Sequence, residues 1–342
     1  VVARDNQTGK SVSIHAAVTV LCAGPWLPEI LQLSSRRATC PGFQPALAMN
    51  VVLKKALPLQ RATGLTTSGR GVGGGRLLFF VPWRGRTVVG TYYRPYTGPA
   101  DALAVSGQDL SLFLEDIRRA YPGAAIGPGD IAMVHAGLLP SQGVAAGGEP
   151  EVMKHYQVID HAARDGIAGL VSVLGVKYTT ARDVARRALA VCGRELRRQP
   201  VPVAFKPLPG GDVTELRLTV RAAAGSGIEP DIAEHLIHNY GSVCERILAL
   251  GREDRGLLQR VGEGVPVIGA EVVHAARHEM ALTLGDAVLR RTDLGSAGCP
   301  AASTLECCAA LMGRELQWDA RRISGEVRAV QSHAPWACLP SR

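Results

Sequence analysis

The sequence has few aromatic residues, few lysines and no long hydrophobic run. Phe, Trp and Tyr make up 5% of the 342 residues, which leaves few rings on which nucleic-acid bases could stack. The 38 basic residues are 32 Arg and six Lys, and they are scattered, so the net charge of +8 does not indicate a nucleic-acid partner. No apolar run reaches the roughly 18 residues that a membrane-spanning helix needs. Peripheral contact with an acidic membrane surface stays open.

The eight cysteines are spread along the chain without a Cys-x-x-Cys pair. Their spacing indicates neither a zinc site nor a disulfide framework. His274 and His278 are four residues apart but lack the His-Glu-x-x-His order of a zinc protease, and no metal site is predicted. The first residues do not read as a secretory signal. We therefore predict a cytoplasmic location, with the inner face of the cell membrane as an alternative.

Two buried strands, each followed by a Gly turn and a helix, are predicted far apart in the chain. Residues 17–22 form an apolar run typical of a strand buried on both faces, and the run ends at Gly24 and Pro25. The same pattern returns at residues 170–174 and ends at Gly175. A buried strand that ends in a Gly turn before a helix is where α/β folds bind ligands.

The segments between and after these strands have other patterns. Residues 44–160 hold short apolar segments separated by Gly, Pro and Arg, as in an antiparallel sheet. The Gly-rich run at 69–75 precedes no helix and is predicted to be a hairpin tip, not a phosphate loop. We predict an α/β + α fold with a partial Rossmann-like domain, an inserted antiparallel-sheet substrate domain and a small all-α C-terminal domain. The predicted boundaries are 1–35 with 161–199, then 36–160, then 212–332.

Lys177 is the most informative single residue. It follows Gly175 at the end of the second buried strand, beside the hydroxyl groups of Thr179 and Thr180. A Lys at a helix N-terminus opposes the positive end of the helix dipole unless an anion compensates. Its position therefore favours a site for an anionic ligand.

Four groups of residues, in this order along the chain, resemble the FAD-dependent glycerol-3-phosphate dehydrogenases. They are the Cys-Ala-Gly-Pro-Trp turn at 22–26, the segments 80–91 and 170–182, and the helical run at 270–280. The resemblance implies FAD as the cofactor. It also implies oxidation of glycerol 3-phosphate, or a related polyol phosphate, to the ketone (dihydroxyacetone phosphate), with electrons passed to a quinone or another acceptor. Two alternatives stay open: an FAD-dependent amine or amino-acid oxidase, and a non-catalytic binding protein derived from this fold.

The family also has a Gly-x-Gly-x-x-Gly loop near its N-terminus that grips the pyrophosphate of FAD. No such loop precedes the first predicted strand here. The chain therefore resembles the C-terminal portion of a longer enzyme. We expect the isolated chain to bind FAD weakly or not at all and to be inactive.

The resemblance implies roles for particular residues. Lys177 is a candidate catalytic cation near flavin and substrate, and Asn50 is a second catalytic candidate, at a position where the family commonly has His. Leu139 stands where the family has an Arg on the phosphate side, which weakens the expected phosphate site. The candidate substrate-binding residues are Lys154, Thr91, His135 and Thr180. The candidate cofactor-binding residues are Gly24, Pro25, Gly175, Val176, Lys177, Tyr178 and Thr179.

Overall fold

The structure of the protein, a computed structural model, describes most of the chain. The described residues are 1–35, 37–40, 42–67, 75–145, 148–199, 201, 204, 206–213 and 227–333. Most of the Gly-rich run predicted as a hairpin tip, residues 69–74, lies outside the described residues.

The first part of the chain forms a hairpin and a small mixed sheet. Strands β1 (Val2–Arg4) and β2 (Ser11–Ser13) pair as the hairpin, and β3 (Thr19–Leu21) and α1 (Leu27–Ser34) follow. The chain re-enters this region with β10 (Gln157–Asp160), α3 (His161–Asp165), β11 (Leu170–Leu174) and α4 (Ala181–Glu195). The sheet order is β10-β11-β3, with β11 parallel to β3 and antiparallel to β10.

Two expectations about this sheet need correction. β11 is buried along its whole length, as predicted, but β3 is not, and Val20 is 41% exposed. β3 lies at the edge of the sheet, and the Val20 side chain lines an open cleft instead of a packed interface. The sheet also begins at Gln157, four residues before position 161, because β10 pairs with β11. The domain boundaries otherwise stay predictions.

The inserted region is a six-stranded antiparallel sheet, as predicted. Its order is β5-β6-β7-β4-β8-β9, and α2 covers one face. The elements are β4 (Gln44–Leu53), β5 (Thr63–Thr66), β6 (Leu77–Trp83), β7 (Arg86–Pro95), α2 (Gly107–Ala120), β8 (Ile131–Val144) and β9 (Pro150–Val152).

The two faces of β4 pack against different partners. Met49, Val51 and Leu53 point into the core that α2 covers. Val52, on the opposite face, packs with Met133 into the core of the C-terminal helices. The sheet is therefore held between α2 and the helical domain.

The C-terminal domain is helical, as predicted. A π-helix at Ala287–Arg291 continues the short helix α8, and no described helix is long and apolar enough to cross a membrane. The helices are α5 (Pro230–Tyr240), α6 (Cys244–Ala249), α7 (Gly269–His278), α8 (Leu284–Asp286), α9 (Ala302–Leu316) and α10 (Ala320–Gln331).

His274 is buried on α7 without a hydrogen-bond partner for its Nδ1 atom. Burial lowers the pKa of His274 from 6.5 to about 4, and the positive charges of His278 and Arg246 act in the same direction. The folded protein therefore keeps this imidazole neutral at pH values where the unfolded chain takes up a proton.

We predict that His274 makes the fold acid-sensitive. The unfolded chain binds the extra proton below pH 6.5, so the free energy of unfolding should fall as the pH decreases from 6.5 to about 4. The contribution of this group is at most about 3 kcal/mol. Urea denaturation across this pH range should show a shallower acid loss for His274→Phe, which keeps an aromatic ring. An unchanged slope in His274→Phe, or an equal change in the exposed control His15→Gln, would contradict the assignment.

Candidate functional site

The turns that follow β3 and β11 form one wall of a cleft of about 740 Å³. The two strands are parallel neighbours, so their carboxyl ends meet at the same edge of the sheet. Six of the predicted cofactor-binding residues line the cleft: Gly24, Pro25, Gly175, Val176, Lys177 and Tyr178. The structure thus brings together residues that lie about 150 positions apart in the sequence.

The other walls are apolar and come from two different places. Val184 and Ala188 on α4 line the cleft. Leu139 and Pro140 on β8 reach it from the six-stranded sheet, together with Phe43 from the segment before β4. The cleft therefore lies between the small mixed sheet and the six-stranded sheet.

The glycines of the two turns leave space for a ligand. Gly24 has a φ of +53°, in the left-handed region that favours glycine. A Cβ atom built at Gly24 or at Gly175 would meet no heavy atom within 4 Å. The backbone of both turns is therefore open to close approach by a bound molecule.

Lys177 lies at the mouth of this cleft. Its backbone is extended and leads into a 3-10 turn at Tyr178–Thr180. The Thr180 Oγ1 atom donates a hydrogen bond of 3.0 Å to the carbonyl of Lys177. This bond closes the turn onto Lys177. Tyr178 is fully exposed, and Thr179 is exposed in the same turn without lining the cleft. Thr180 makes no side-chain cap to α4.

A second group of predicted residues meets on the six-stranded sheet, which we call the substrate sheet after its predicted role. Asn50 pairs with His135 on β8 and with Gly90 on β7, and a register shift between Met49 and Asn50 places Thr91 in a bulge. The Asn50 Oδ1 atom is buried and has no hydrogen-bond partner. Burial lowers the pKa of His135, which keeps its imidazole neutral and able to accept a proton.

Strand β8 links this polar group to the cleft. His135 and Leu139 are four residues apart on one strand, so their side chains share a face. At the rise of a β-strand they lie about 13 Å apart. The structure therefore places the polar group along the same strand that forms part of the cleft wall.

Lys154 takes a different position from the other candidates. It is exposed in the loop between β9 and β10 and does not line the cleft. Phe43, in contrast, lines it without having been predicted. Leu139, which the resemblance placed on the phosphate side, also lines it. No local sequence signal marks Phe43, because its contact with the first domain arises only in the tertiary structure.

Two family models match the chain. Residues 1–182 match the family described as FAD dependent oxidoreductase. The chain belongs to this family. Residues 204–323 match the C-terminal domain of alpha-glycerophosphate oxidase. The predicted family is confirmed.

Several relatives of this chain carry the name glycerol-3-phosphate dehydrogenase. The protein of Synechocystis is 28% identical over 300 residues, covering 84% of this chain and 54% of its own length. The probable mitochondrial enzyme of Dictyostelium discoideum is 28% identical over 340 residues, with 97% and 52% covered, and the human mitochondrial enzyme is 26% identical over 324 residues, with 92% and 43% covered. The chain thus spans about half the length of the curated relatives that it matches.

A solved structure confirms the predicted fold class. The glycerol-3-phosphate dehydrogenase of Bacillus halodurans, solved in complex with FAD, superposes with a TM-score of 0.79 at 21% identity. The match covers all of this chain and 67% of the other.

The cleft is suited to bind part of a flavin. Its apolar walls suit a planar ring system, its Gly turns are open, and Lys177 offers a positive charge at its edge. Its volume lies within the range of small-molecule sites. The residues present therefore fit the cofactor of the family.

We predict that Gly90 cannot be enlarged while Asn50 is present. A Cβ atom at Gly90 would lie 1.7 Å from the Asn50 Oδ1 atom, so Gly90→Ala should lower the free energy of unfolding by about 1–3 kcal/mol. Adding Asn50→Ala should recover most of this loss, since only the Asn50 Cβ, at 3.2 Å, would remain close.

Urea denaturation measures these changes. Gly137→Ala on β8, which pairs with β4 on the side opposite β7, is the matched control, because a Cβ atom there would meet nothing within 4 Å. Equal effects of Gly90→Ala and Gly137→Ala, or no recovery in the double variant, would show that Asn50 does not lie where the structure places it.

Proposed function

We propose that this chain forms the substrate side and part of the cofactor site of an FAD-dependent dehydrogenase. The enzyme oxidises the secondary alcohol of glycerol 3-phosphate, or of a related polyol phosphate, to the ketone. The observation that carries the proposal is the position of Lys177 in an apolar cleft between the two sheets, with His135 farther along β8, which lines the cleft, and Asn50 opposite His135 on β4. Membership of the FAD-dependent oxidoreductase family supports it.

The residues of the two Gly turns would hold the cofactor. Gly24, Pro25 and the segment 175–178 line the cleft, and Thr179 follows in the same turn. Bound FAD supplies an acceptor for the hydride of the substrate C–H bond. Lys177 fixes a positive charge beside it, which stabilises negative charge that develops near the cleft.

His135 and Asn50 have complementary roles toward the substrate hydroxyl. A neutral imidazole can take the hydroxyl proton, whereas an amide cannot, so His135 is the proton acceptor in this proposal. The Asn50 amide can donate a hydrogen bond from Nδ2 to the oxygen of the same hydroxyl group, which leaves the hydroxyl hydrogen for His135, and Thr91 beside it offers a further hydroxyl. Asn50 thus acts by positioning the hydroxyl group whose proton His135 removes.

Fewer candidate residues are available to bind the phosphate group of the substrate. Leu139 is an apolar side chain on the cleft wall, where an Arg would offer two hydrogen-bond donors to a phosphate. Thr180, beside Lys177, and Lys154, in its exposed loop, are the remaining candidates, and Lys154 can act only as a point charge. A polyol phosphate other than glycerol 3-phosphate is therefore the second substrate in this proposal.

The helical domain favours this function over an amine or amino-acid oxidase. Residues 204–323 match a domain named for alpha-glycerophosphate oxidase, whose substrate is a polyol phosphate. We propose a quinone as the electron acceptor. Molecular oxygen is the alternative that the name of this domain suggests.

The proposal predicts that the full-length protein is yellow and bleaches on addition of glycerol 3-phosphate without oxygen. Lys177→Met should slow this flavin reduction by at least about tenfold, because loss of the positive charge at the cleft removes about 1.4 kcal/mol or more of transition-state stabilisation. It should leave FAD retention nearly unchanged. Stopped-flow absorbance measures the rate, and gel filtration measures the retained FAD.

Lys10→Met, in the exposed turn between β1 and β2, is the matched control. Its flavin should be reduced as fast as that of the unmodified protein. A yellow protein that does not bleach would show that glycerol 3-phosphate is not the substrate. A colourless protein would support a non-catalytic binding protein. Equal reduction rates in Lys177→Met and Lys10→Met would remove Lys177 from the mechanism.

Leu139→Arg tests the phosphate end separately. A guanidinium group at the cleft wall should lower the KM for glycerol 3-phosphate by about tenfold through charge-assisted hydrogen bonds, and change the KM for unphosphorylated glycerol little. Leu139→Met, which keeps the apolar character, is the control. Equal changes for both substrates would place the phosphate away from Leu139.

A further inference from the structure

The tip of the β6–β7 hairpin contacts the helical domain through polar groups. Arg84 forms an ion pair with Asp293, and its Nη2 atom donates a hydrogen bond of 3.2 Å to the Asn239 Oδ1 atom. Trp83, beside it, donates from Nε1 to the Ser296 carbonyl at 3.3 Å. The hairpin of the substrate sheet is thus fastened to α5 and to the segment that follows the π-helix.

The partners of Asn239 fix the orientation of its amide. A guanidinium group only donates, so the oxygen of the amide must face Arg84. The NH₂ group then faces Asp293 Oδ2 at 3.3 Å and His235 Nδ1 at 3.0 Å. Both the oxygen and the NH₂ group of this amide therefore have hydrogen-bond partners.

The same logic fixes the tautomer of His235. Because Asn239 donates to Nδ1, that nitrogen must be the acceptor, and the ring proton lies on Nε2. Nε2 lies 3.0 Å from Glu271 Oε2 and donates to it. The other Glu271 oxygen accepts a hydrogen bond of 2.9 Å from the Ile268 backbone at the start of α7.

This chain of hydrogen bonds runs from the hairpin to the interior. Arg84 is at the surface, whereas Glu271 is only 1% exposed and His235 is buried on α5. Each link depends on the one before it, because the donor and acceptor of each group face fixed partners.

A proton added to His235 conflicts with this arrangement. Nδ1 would then carry a hydrogen that faces the NH₂ group of Asn239, which places two donors against each other. Turning the amide by 180° would satisfy His235 but place NH₂ against Arg84. The other acceptor is Asp293 Oδ2, 3.6 Å from Nδ1, and a hydrogen bond to it would compete with the Arg84–Asp293 ion pair. Each outcome weakens one link between the hairpin and the helical domain.

We propose that His235 and Asn239 make the docking of the β6–β7 hairpin on the helical domain responsive to protons, and so act as positioning residues for the substrate sheet. Val88 on β7 packs against the core of the helical domain, and Gly90 and Thr91 follow two and three residues later. A change at the hairpin tip is therefore transmitted along β7 to the bulge opposite Asn50. The proposal rests on these contacts alone and is independent of the bound cofactor and the substrate.

Several charged or titratable groups face His235 or the same surface cleft, and the test must separate them. Glu271 on α7, Asp293 and Arg84 face the imidazole or its partners, and Tyr240 on α5 interacts with Glu271. The surface cleft beside the hairpin adds Arg86, Asp231, Glu234 and His238.

Fluorine NMR of the protein labelled with 5-fluorotryptophan tests the coupling. The resonance of Trp83, assigned with Trp83→Phe, should shift between a neutral and an acidic sample. His235→Gln should abolish this shift. His238→Gln is the matched control, since His238 lies exposed on the same helix, and it should keep the shift.

Asn239→Ala provides a second route if His235→Gln does not fold. It keeps His235 and the contact through Asp293 but removes the amide link to Arg84, so the Trp83 resonance should shift less with pH than in the unmodified protein. Circular dichroism and the Trp318 resonance report whether the fold persists at the acidic end. A Trp83 resonance that does not move with pH in the unmodified protein, a shift that survives in His235→Gln, or a shift that is undiminished in Asn239→Ala would overturn the proposal.

Discussion

The alternation of side chains along β4 is the constraint on which the rest of the structure depends. Met49, Val51 and Leu53 enter the core under α2, while Val52 enters the core of the helical domain on the opposite face. Asn50 lies on the same face as Val52, because the side-chain period of a strand is two. A slip of one residue would turn Asn50 into the core under α2 and turn Met49, Val51 and Leu53 toward the helical domain, so packing on both sides fixes the place of the polar group.

The candidate site depends on how distant segments are brought to one edge. The parallel pairing of β3 and β11 brings Gly24 to Gly175 and Lys177. β8 is long enough to carry His135 inside the substrate sheet and Leu139 at the cleft. One strand thus joins His135 to the cleft, and the number of residues between His135 and Leu139 sets the distance between them.

The local elements could be predicted from the sequence, because their signals are local. The apolar run at 170–174 and the amphipathic pattern of α2 each decide their own structure. The burial of β3 could not be predicted, since an apolar strand looks the same whether it lines a packed interface or an open cleft. The Arg84–Asp293 pair was also missed, because the two residues lie about 200 positions apart and no local pattern links them.

The candidate site was predicted in part for the same reason. Gly175 and Lys177 follow directly from a buried strand and its turn, whereas Phe43 and Leu139 enter the cleft only through tertiary contacts. Asn50, Thr91 and His135 were proposed separately, and the register of β4 with its two neighbours brings them together.

A crystal structure of the protein with FAD and glycerol 3-phosphate tests the central claim most directly. The account predicts electron density for the flavin ring in the cleft between the segment 175–178 and the end of β8, with the substrate carbon chain toward Asn50 and His135. Flavin density outside this cleft, or substrate on the face of the sheet that α2 covers, would contradict it.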